Sequence, residues 1–91
     1  MKKDVTETMS FKSEDMRREN IRHIVRLVDK ALKERGYNSV NQLAGYLISN
    51  DPAYISSHQN ARSVIQNVER YEIIEELSDN IIFNYGSYNS I

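Results

Sequence analysis

The residues with the clearest capacity for chemistry are two histidines and a group of carboxylates near the C-terminus. His23 falls on a predicted helix beside its apolar stripe, and His58 falls in a predicted loop. Catalysis or metal binding needs such a side chain beside a second ligand, a base or a nucleophile. We therefore interpret His23 as a helix-boundary residue and His58 as a loop residue, and we predict no metal site.

The carboxylates could in principle act as general acids and bases. They are Glu72, Glu75, Glu76 and Asp79. Because Glu72 and Glu76 are one helical turn apart, the spacing predicts an acidic face in contact with solvent. The chain has no cysteine, and its three glycines are too far apart for a phosphate-binding loop. We predict a protein that is not an enzyme and that needs no cofactor.

Nucleic-acid binding is the main alternative function. The segment 39–47, followed by a turn and a further helix, is similar to the opening of a helix-turn-helix motif. Phosphate neutralisation would require cations near the recognition helix. No Lys or Arg occurs between Arg35 and Arg62. We keep a helix-turn-helix protein as the alternative, and we expect no nucleic-acid partner.

The pattern of apolar residues predicts one all-α domain, a compact bundle of about five helices, one of them short. Ser13 is the predicted N-cap of the first helix, and Gly36 its left-handed end. The second helix begins after Asn38 or Ser39. Asp51 and Pro52 begin the short turn of helix, and two last helices meet at a bend near 69–72. No strand-like alternation is present.

The ends of the chain predict two tails. Residues 1–12 show no helical or strand period, so we predict a flexible N-terminal tail there. The helical domain spans 13–84, and the turn-rich residues 85–91 form a C-terminal tail. Gly45 interrupts the second helix, where it costs about 1 kcal/mol relative to Ala. Its presence indicates that another backbone approaches closely at that point.

Charge is divided unevenly along the 91 residues. Residues 1–35 carry ten Lys and Arg against seven Asp and Glu, whereas residues 36–91 carry two against six. The split favours self-association or packing between the halves. The absence of cysteine, of a signal-peptide core and of any long apolar run predicts a cytoplasmic protein without membrane insertion. A domain this small has a marginal core, which favours a homodimer.

The central segment resembles the signature of the IreB/ReoM family, small regulators of cell-wall homeostasis in low-GC Gram-positive bacteria. The resemblance is carried by the run 36–55 (GYNSVNQLAGYLISNDPAYI). It continues through His58, Ala61-Arg62, Glu69-Arg70 and residues 72–77, and covers about residues 5–83.

The resemblance implies a non-enzymatic helical homodimer with a flexible N-terminus. It also implies phosphorylation of an N-terminal threonine by a transmembrane Ser/Thr kinase with extracellular PASTA repeats. Thr8 matches the family's acceptor threonine, and Thr6 is the second candidate. The family restrains envelope functions, including cephalosporin resistance. In some members it does so by promoting Clp-protease turnover of the first committed enzyme of peptidoglycan synthesis.

Several positions depart from the family pattern. Ser39 replaces a usual Pro, and Asn50 a usual Gly. Further departures are Ser56-Ser57 for Pro-Arg, Gln66 for Arg and Tyr71 for Asp. The third helix thereby loses cations, so Arg62 and Arg70 are the ones left to contact a partner. We predict a partner-binding groove between the second helix and the later ones that displays Tyr46, Tyr54 and Arg62, with Arg70 as a further partner-binding residue.

Overall fold

The computed structural model describes the backbone of residues 2–89 and the side chains of residues 13–83. Four α-helices account for most of it: α1 (Lys2–Glu34), α2 (Ser39–Ser49), α3 (Ala61–Ile65) and α4 (Arg70–Asn89). Single turns of 3₁₀ helix occupy Pro52–Tyr54 and His58–Asn60. No strand occurs in the described range, so the all-α class is confirmed. The helix count differs from five because the short predicted helix is a 3₁₀ turn.

Helix α1 begins at Lys2, well before the predicted cap at Ser13. Ser13 is therefore an interior helical residue, and the predicted boundary between a tail (1–12) and the helix is not observed. Residues 2–12 contain neither Gly nor Pro. Because nothing in that segment breaks a helix, the regular backbone of residues 13–34 continues through it.

Helix α4 continues to Asn89, past the predicted domain end at residue 84. The predicted C-terminal tail (85–91) is therefore helical through residue 89. We read the asparagines and serines of this segment as turn signals. Asparagine and serine are poor helix formers, but they do not prevent a helix as proline would. The chain has no proline after Pro52 that could end α4 earlier.

The end of α1 has the geometry of a Schellman motif. Gly36 adopts φ 78°, the left-handed conformation predicted for it. The N–H of Tyr37 donates to the carbonyl of Leu32 at 3.0 Å, and the N–H of Gly36 donates to that of Lys33 at 3.0 Å. These two bonds satisfy carbonyls that the helix end would otherwise leave free.

The start of α2 resolves the ambiguity between the two candidate caps. The side chain of Asn38 accepts a hydrogen bond from the N–H of Asn41 at 3.1 Å, which makes Asn38 the N-cap. Ser39 is buried, and its hydroxyl donates to the backbone carbonyl of Asp29 at 3.2 Å. Ser39 therefore ties α2 to α1.

Gly45 makes its close contact with a side chain, and not with a backbone as we predicted. A Cβ placed on Gly45 would lie 2.5 Å from two ring carbons of Tyr54. The 3₁₀ turn that carries Tyr54 is held by Asp51, whose side chain accepts from Ala53, and by Gln42, whose amide donates to the carbonyl of Tyr54. The aromatic ring therefore packs directly on α2.

The last two helices are separate as predicted, but residues 66–69 divide α3 from α4, about three residues before the predicted bend at 69–72. The core lies among α1, α2, α3 and the 3₁₀ turns. Its apolar members are Ile21, Ile24, Val28, Ala31, Leu32, Tyr46, Ile55, Ala61, Ile65 and Ile73. Ile73 is the one member from the part of α4 whose side chains are described (70–83), so that part of the helix contributes little to the apolar core.

Candidate functional site: partner-binding surfaces and a charged seam

The two predicted phosphorylation sites lie on the first part of α1. Thr8 and Thr6 have helical backbone there, but their side chains lie outside the described residues. In a continuous helix the backbones of Thr8 and Arg17 are about 13 Å apart along the axis. Ser13 was the predicted N-terminus of this helix, but it is an interior residue of α1. A phosphate on Thr8 would therefore find no free helix N-terminus near Ser13.

The predicted partner residues divide into two pairs. Tyr46 and Arg70 line a shallow groove of about 530 Å³ at the end of α2. Tyr46 is only 3% exposed and belongs to the core. A guanidinium N–H of Arg70 donates to the carbonyl of Leu47 at 2.7 Å, which places a cation at the negative end of α2.

Tyr54 and Arg62 lie outside that groove. Tyr54 packs against Gly45, and the Nε–H of Arg62 donates to the carbonyl of Ile55 at 2.8 Å. Both side chains keep exposed surface. The structure thus brings Tyr46 and Arg70 to one groove and does not place all four predicted residues in a single one.

The helix-turn-helix alternative lacks its recognition helix. The helix after α2 is α3, which has only five residues and follows two turns of 3₁₀ helix. Ala61 and Ile65 of α3 are buried in the core. A recognition helix must project side chains into a DNA groove, and α3 has neither the length nor the exposure to do so.

A row of arginines on α1 faces a row of carboxylates on α4, and we call these six residues the seam. Arg17 donates to Glu72 at 2.6 Å, and Arg22 donates through Nε to Glu76 at 2.9 Å. Arg18 and Asp79 form a longer ion pair of 3.8 Å. Our prediction of a solvated acidic face on α4 was therefore wrong, because α1 covers part of that face.

Glu72 connects the seam to the beginning of α4. One oxygen of its carboxylate accepts from Arg17, and the other accepts from the backbone N–H of Glu69 at 3.1 Å. The second bond is half of a capping box for α4. The Glu69 N–H, and then Arg17, hold the pKa of Glu72 below its ordinary value. Arg17 is shared with Glu14, which also bonds to it.

Glu76 is the buried member of the seam, with 7% exposure. Its carboxylate accepts from Arg22 and, at 3.3 Å, from the amide of Asn80. The bond to Glu76 raises the pKa of Arg22 above its ordinary value. A buried carboxylate is tolerated only when it is paired, so the burial of Glu76 requires that Arg22 of α1 stay in contact with it.

A groove of about 460 Å³ runs along α4 beside the seam. Its lining includes five carboxylates and two guanidinium groups, together with the apolar residues Ile21, Tyr71, Ile74 and Ile82. On α4, Tyr71, Ile74, Ser78 and Ile82 share one face, because they are spaced at three or four residues. This acidic groove was missed in the sequence, although the matched spacing of cations on α1 and carboxylates on α4 was a signal for it.

Among the described side chains, His58 contacts a single carboxylate. His58 lies 2.9 Å from a carboxylate oxygen of Glu34, so it fastens the second 3₁₀ turn to α1. In the described part of the chain, no three His, Cys, Asp or Glu side chains gather as a metal site would require. Over the same part, no helix is long and apolar enough to cross a membrane.

Comparison with known proteins identifies the family. The family described as "IreB regulatory phosphoprotein" matches residues 6–82, most of the chain. The chain belongs to the IreB family. The resemblance noted in the central segment is thereby confirmed, and membership indicates a regulatory role.

Two relatives support the assignment to the IreB family. A UPF0297 protein of Ruminiclostridium cellulolyticum is 40% identical over 83 residues, which cover 91% of this chain and 94% of the relative. A UPF0297 protein of Clostridioides difficile is 47% identical over 77 residues, covering 85% and 91%. Their names assign no activity.

Two departures from the IreB family pattern have a structural explanation. Asn50 adopts φ 60° as the C-cap of α2, and asparagine is the residue that best replaces glycine in the left-handed conformation. Ser39 occupies the first helical position after the Asn38 cap, where proline is also favoured. Both substitutions therefore preserve the local backbone.

Proposed function

We propose that the chain is a non-enzymatic regulator of cell-envelope homeostasis that is switched by phosphorylation of Thr8. The observation that carries this proposal is the family match, which includes Thr8 and is described as a regulatory phosphoprotein. The enzyme that modifies it is a Ser/Thr kinase with extracellular PASTA repeats, and Thr6 is the second acceptor. The regulated process is peptidoglycan synthesis in the cytoplasm, through Clp-dependent turnover of a precursor enzyme and with an effect on cephalosporin resistance.

The switch acts through charge on the first turns of α1. A phosphate adds about −1.5 to −2 charge and three acceptor oxygens. Arg17 and Arg18, the first described cations after Thr8, already pair with Glu14, Glu72 and Asp79. Because these guanidinium groups are occupied, the added charge acts on the contact between this segment and a partner, and not by docking on the helical body.

The partner contact includes the exposed side chains of Tyr54 and Arg62, with Arg70 and Tyr46 beside it. Arg62 is the cation of this region whose charge is most accessible. Charge reversal in Arg62→Glu should abolish recovery of Clp-pathway components with the tagged protein, while Arg26→Glu, on the exposed side of α1, should not. Equal recovery with both variants would remove Arg62 from the partner surface.

The chain acts as a homodimer, and the exposed end of α4 supplies the contact. Ile81, Ile82 and Phe83 are 63–71% exposed, which is unusual for three consecutive large apolar residues in a monomer. The double variant Ile81→Ser/Phe83→Ser should be monomeric by sedimentation equilibrium. Ile48→Ser on α2 is the matched control and should leave the dimer intact.

The decisive experiment is phosphate mapping on the protein purified from its own cells. Mass spectrometry should locate phosphate on Thr8, and deletion of the kinase should remove it. Thr8→Ala should make cephalosporin resistance and the abundance of the precursor enzyme insensitive to the kinase, whereas Thr6→Ala should retain most of the response. Phosphate found only outside residues 6–8, or an unchanged response to the kinase in the double variant Thr6→Ala/Thr8→Ala, would refute the proposal.

A further inference from the structure

The acidic groove along α4 is a surface that neither the family description nor the proposed phosphorylation uses. It is open, about 460 Å³ in volume, and bounded by α1 on one side and by the Tyr71, Ile74 and Ile82 face of α4 on the other. From Tyr71 to Ile82 the helix rises about 16 Å, or three turns. Tyr71 is 69% exposed and Ile74 43% exposed, so both are available to a partner.

The charge of the groove is strongly one-sided. Its carboxylates are Glu14, Glu72, Glu75, Glu76 and Asp79, against the guanidinium groups of Arg17 and Arg18, a net charge of −3 for the lining. Both arginines are held by carboxylates of the same groove. Among the described side chains, Glu75 forms no ion pair, and the Asp79 pair with Arg18 is long at 3.8 Å.

We propose that this groove binds a basic amphipathic helix of a partner protein. The apolar row of α4 would contact the apolar side of that helix, and Glu75 and Asp79 would face its lysines or arginines. An acidic segment or a nucleic-acid phosphate would be repelled by the same carboxylates. The groove is long enough for three turns of helix, which is the scale on which amphipathic helices are recognised.

A second copy of this chain fits the groove less well. Glu75 and the weakly paired Asp79 favour a cation-rich amphipathic helix, and α1 has already committed three of its arginines to the seam of its own chain. The proposed dimer contact and the groove share Ile82, but Ile81 and Phe83 do not line the groove, and Ile74 and Glu75 are not part of the dimer contact. Substitutions at these unshared positions therefore test the two surfaces separately.

The probe is a synthetic amphipathic peptide of leucine, alanine and lysine about 14 residues long, which spans about four turns. The matched control replaces each lysine by glutamate. Titrated into the full chain, the lysine peptide should bind about tenfold more tightly than the glutamate peptide, because like charges oppose the latter. Its affinity should fall as salt rises, and the perturbed amide resonances should lie at 71–82 and on the facing part of α1.

Two variants locate the binding. Ile74→Ser and Glu75→Gln should each weaken the lysine peptide, about fivefold and about twofold respectively. Ile48→Ser on α2 and Glu19→Gln on α1 are matched controls outside the groove and should leave the affinity unchanged. Circular dichroism verifies that all four variants remain helical.

Several results would overturn the proposal. They are failure of the lysine peptide to bind, equal binding of the two peptides, resonance changes on α2 instead of α4, or affinity unaffected by both groove variants. Displacement of a second copy from the groove by the lysine peptide, seen as dissociation of a dimer, would assign the groove to self-association instead. None of these outcomes depends on Thr8. The proposal of phosphorylation at Thr8 and the proposal of peptide binding in the groove can therefore be refuted separately.

Discussion

The body formed by α1, α2 and α3 and the contact between α1 and α4 are stabilised by different forces. In the body, Val28, Leu32, Ile55 and Ile65 are completely buried. At the contact between α1 and α4, the described part of α4 contributes one buried isoleucine, Ile73, and the arginine–carboxylate pairs of the seam accompany it. Buried apolar side chains carry no charge for salt to screen or for pH to change, whereas partly exposed ion pairs respond to both. Helix α4 is therefore the element whose docking solution conditions can change.

The largest expected effect comes from the apolar core. Ile65→Ala removes a fully buried side chain of α3 and should lower the free energy of unfolding by about 2–5 kcal/mol. Urea denaturation followed by circular dichroism measures the loss. Ile48→Ala, at a position that is 85% exposed, should stay within about 0.5 kcal/mol of the wild type. If the two variants lowered the free energy of unfolding by similar amounts, the burial of Ile65 would not contribute to the stability of the body.

A smaller effect is expected where charge is buried in the seam. Glu76→Gln replaces the charge-assisted bond from Arg22 by a weaker one and should cost about 1–2 kcal/mol. Part of that difference should disappear in high salt, which distinguishes it from the Ile65 loss. Glu75→Gln, at the adjacent exposed position, serves as control in the same urea titrations. A salt-independent loss in Glu76→Gln would show that its contribution is packing and not charge.

The contact between Gly45 and Tyr54 tests the body for overpacking. Gly45→Ala improves helix propensity by about 1 kcal/mol, but its Cβ would lie 2.5 Å from the Tyr54 ring, a clash that costs about 1–3 kcal/mol. We expect a net loss of about 1 kcal/mol in the wild-type background.

The same substitution should become stabilising when the ring is removed. In a Tyr54→Ala background, Gly45→Ala should raise the free energy of unfolding by up to about 1 kcal/mol. Thermal denaturation of the four proteins completes the double-mutant cycle. If Gly45→Ala changes the free energy of unfolding in the same direction in both backgrounds, the Tyr54 ring is not what makes a side chain at position 45 unfavourable.

The smallest effect is a pH dependence carried by Glu72. Its pKa in the folded protein is lower than the ordinary value of 4.5. Its contribution to stability is therefore complete well above pH 4.5, and it is lost as the pH falls through the pKa that Glu72 has in the folded protein. Unfolding midpoints measured from pH 7 down to pH 3 should therefore decline less steeply in Glu72→Gln than in the wild type. Coincidence of the Glu72→Gln and wild-type curves would contradict the assignment.

Local structure was predictable where the backbone conformation depends on the residue types within one short segment. Gly36 ends α1 in the left-handed conformation, Asp51 and Pro52 begin a turn of helix, and residues 66–69 form a bend. Each depends on backbone preferences of a few neighbouring residues, which a sequence displays directly. The start of α1 was not predictable in this way, because Ser13 is a good cap that the helix does not use.

The candidate surfaces were harder to predict because they depend on which helix faces which. The spacing of Glu72 and Glu76 indicates a helical acidic row, but whether water or α1 covers that row depends on the crossing of two distant helices. Likewise, the four predicted partner residues are divided between two places, since Tyr46 enters the core and Arg62 bonds to Ile55.

Composition, helical periodicity and the ordered run at 36–55 determined the all-α class, the left-handed end of α1 at Gly36 and the family of this chain, because each depends on local preference or on residue order. Only the tertiary structure decided that Arg17 and Arg22 meet Glu72 and Glu76, that Tyr54 covers Gly45, and that an acidic groove lies beside Tyr71. The physical reason is that these contacts join residues nine to 55 positions apart, and their geometry follows from how the apolar body packs.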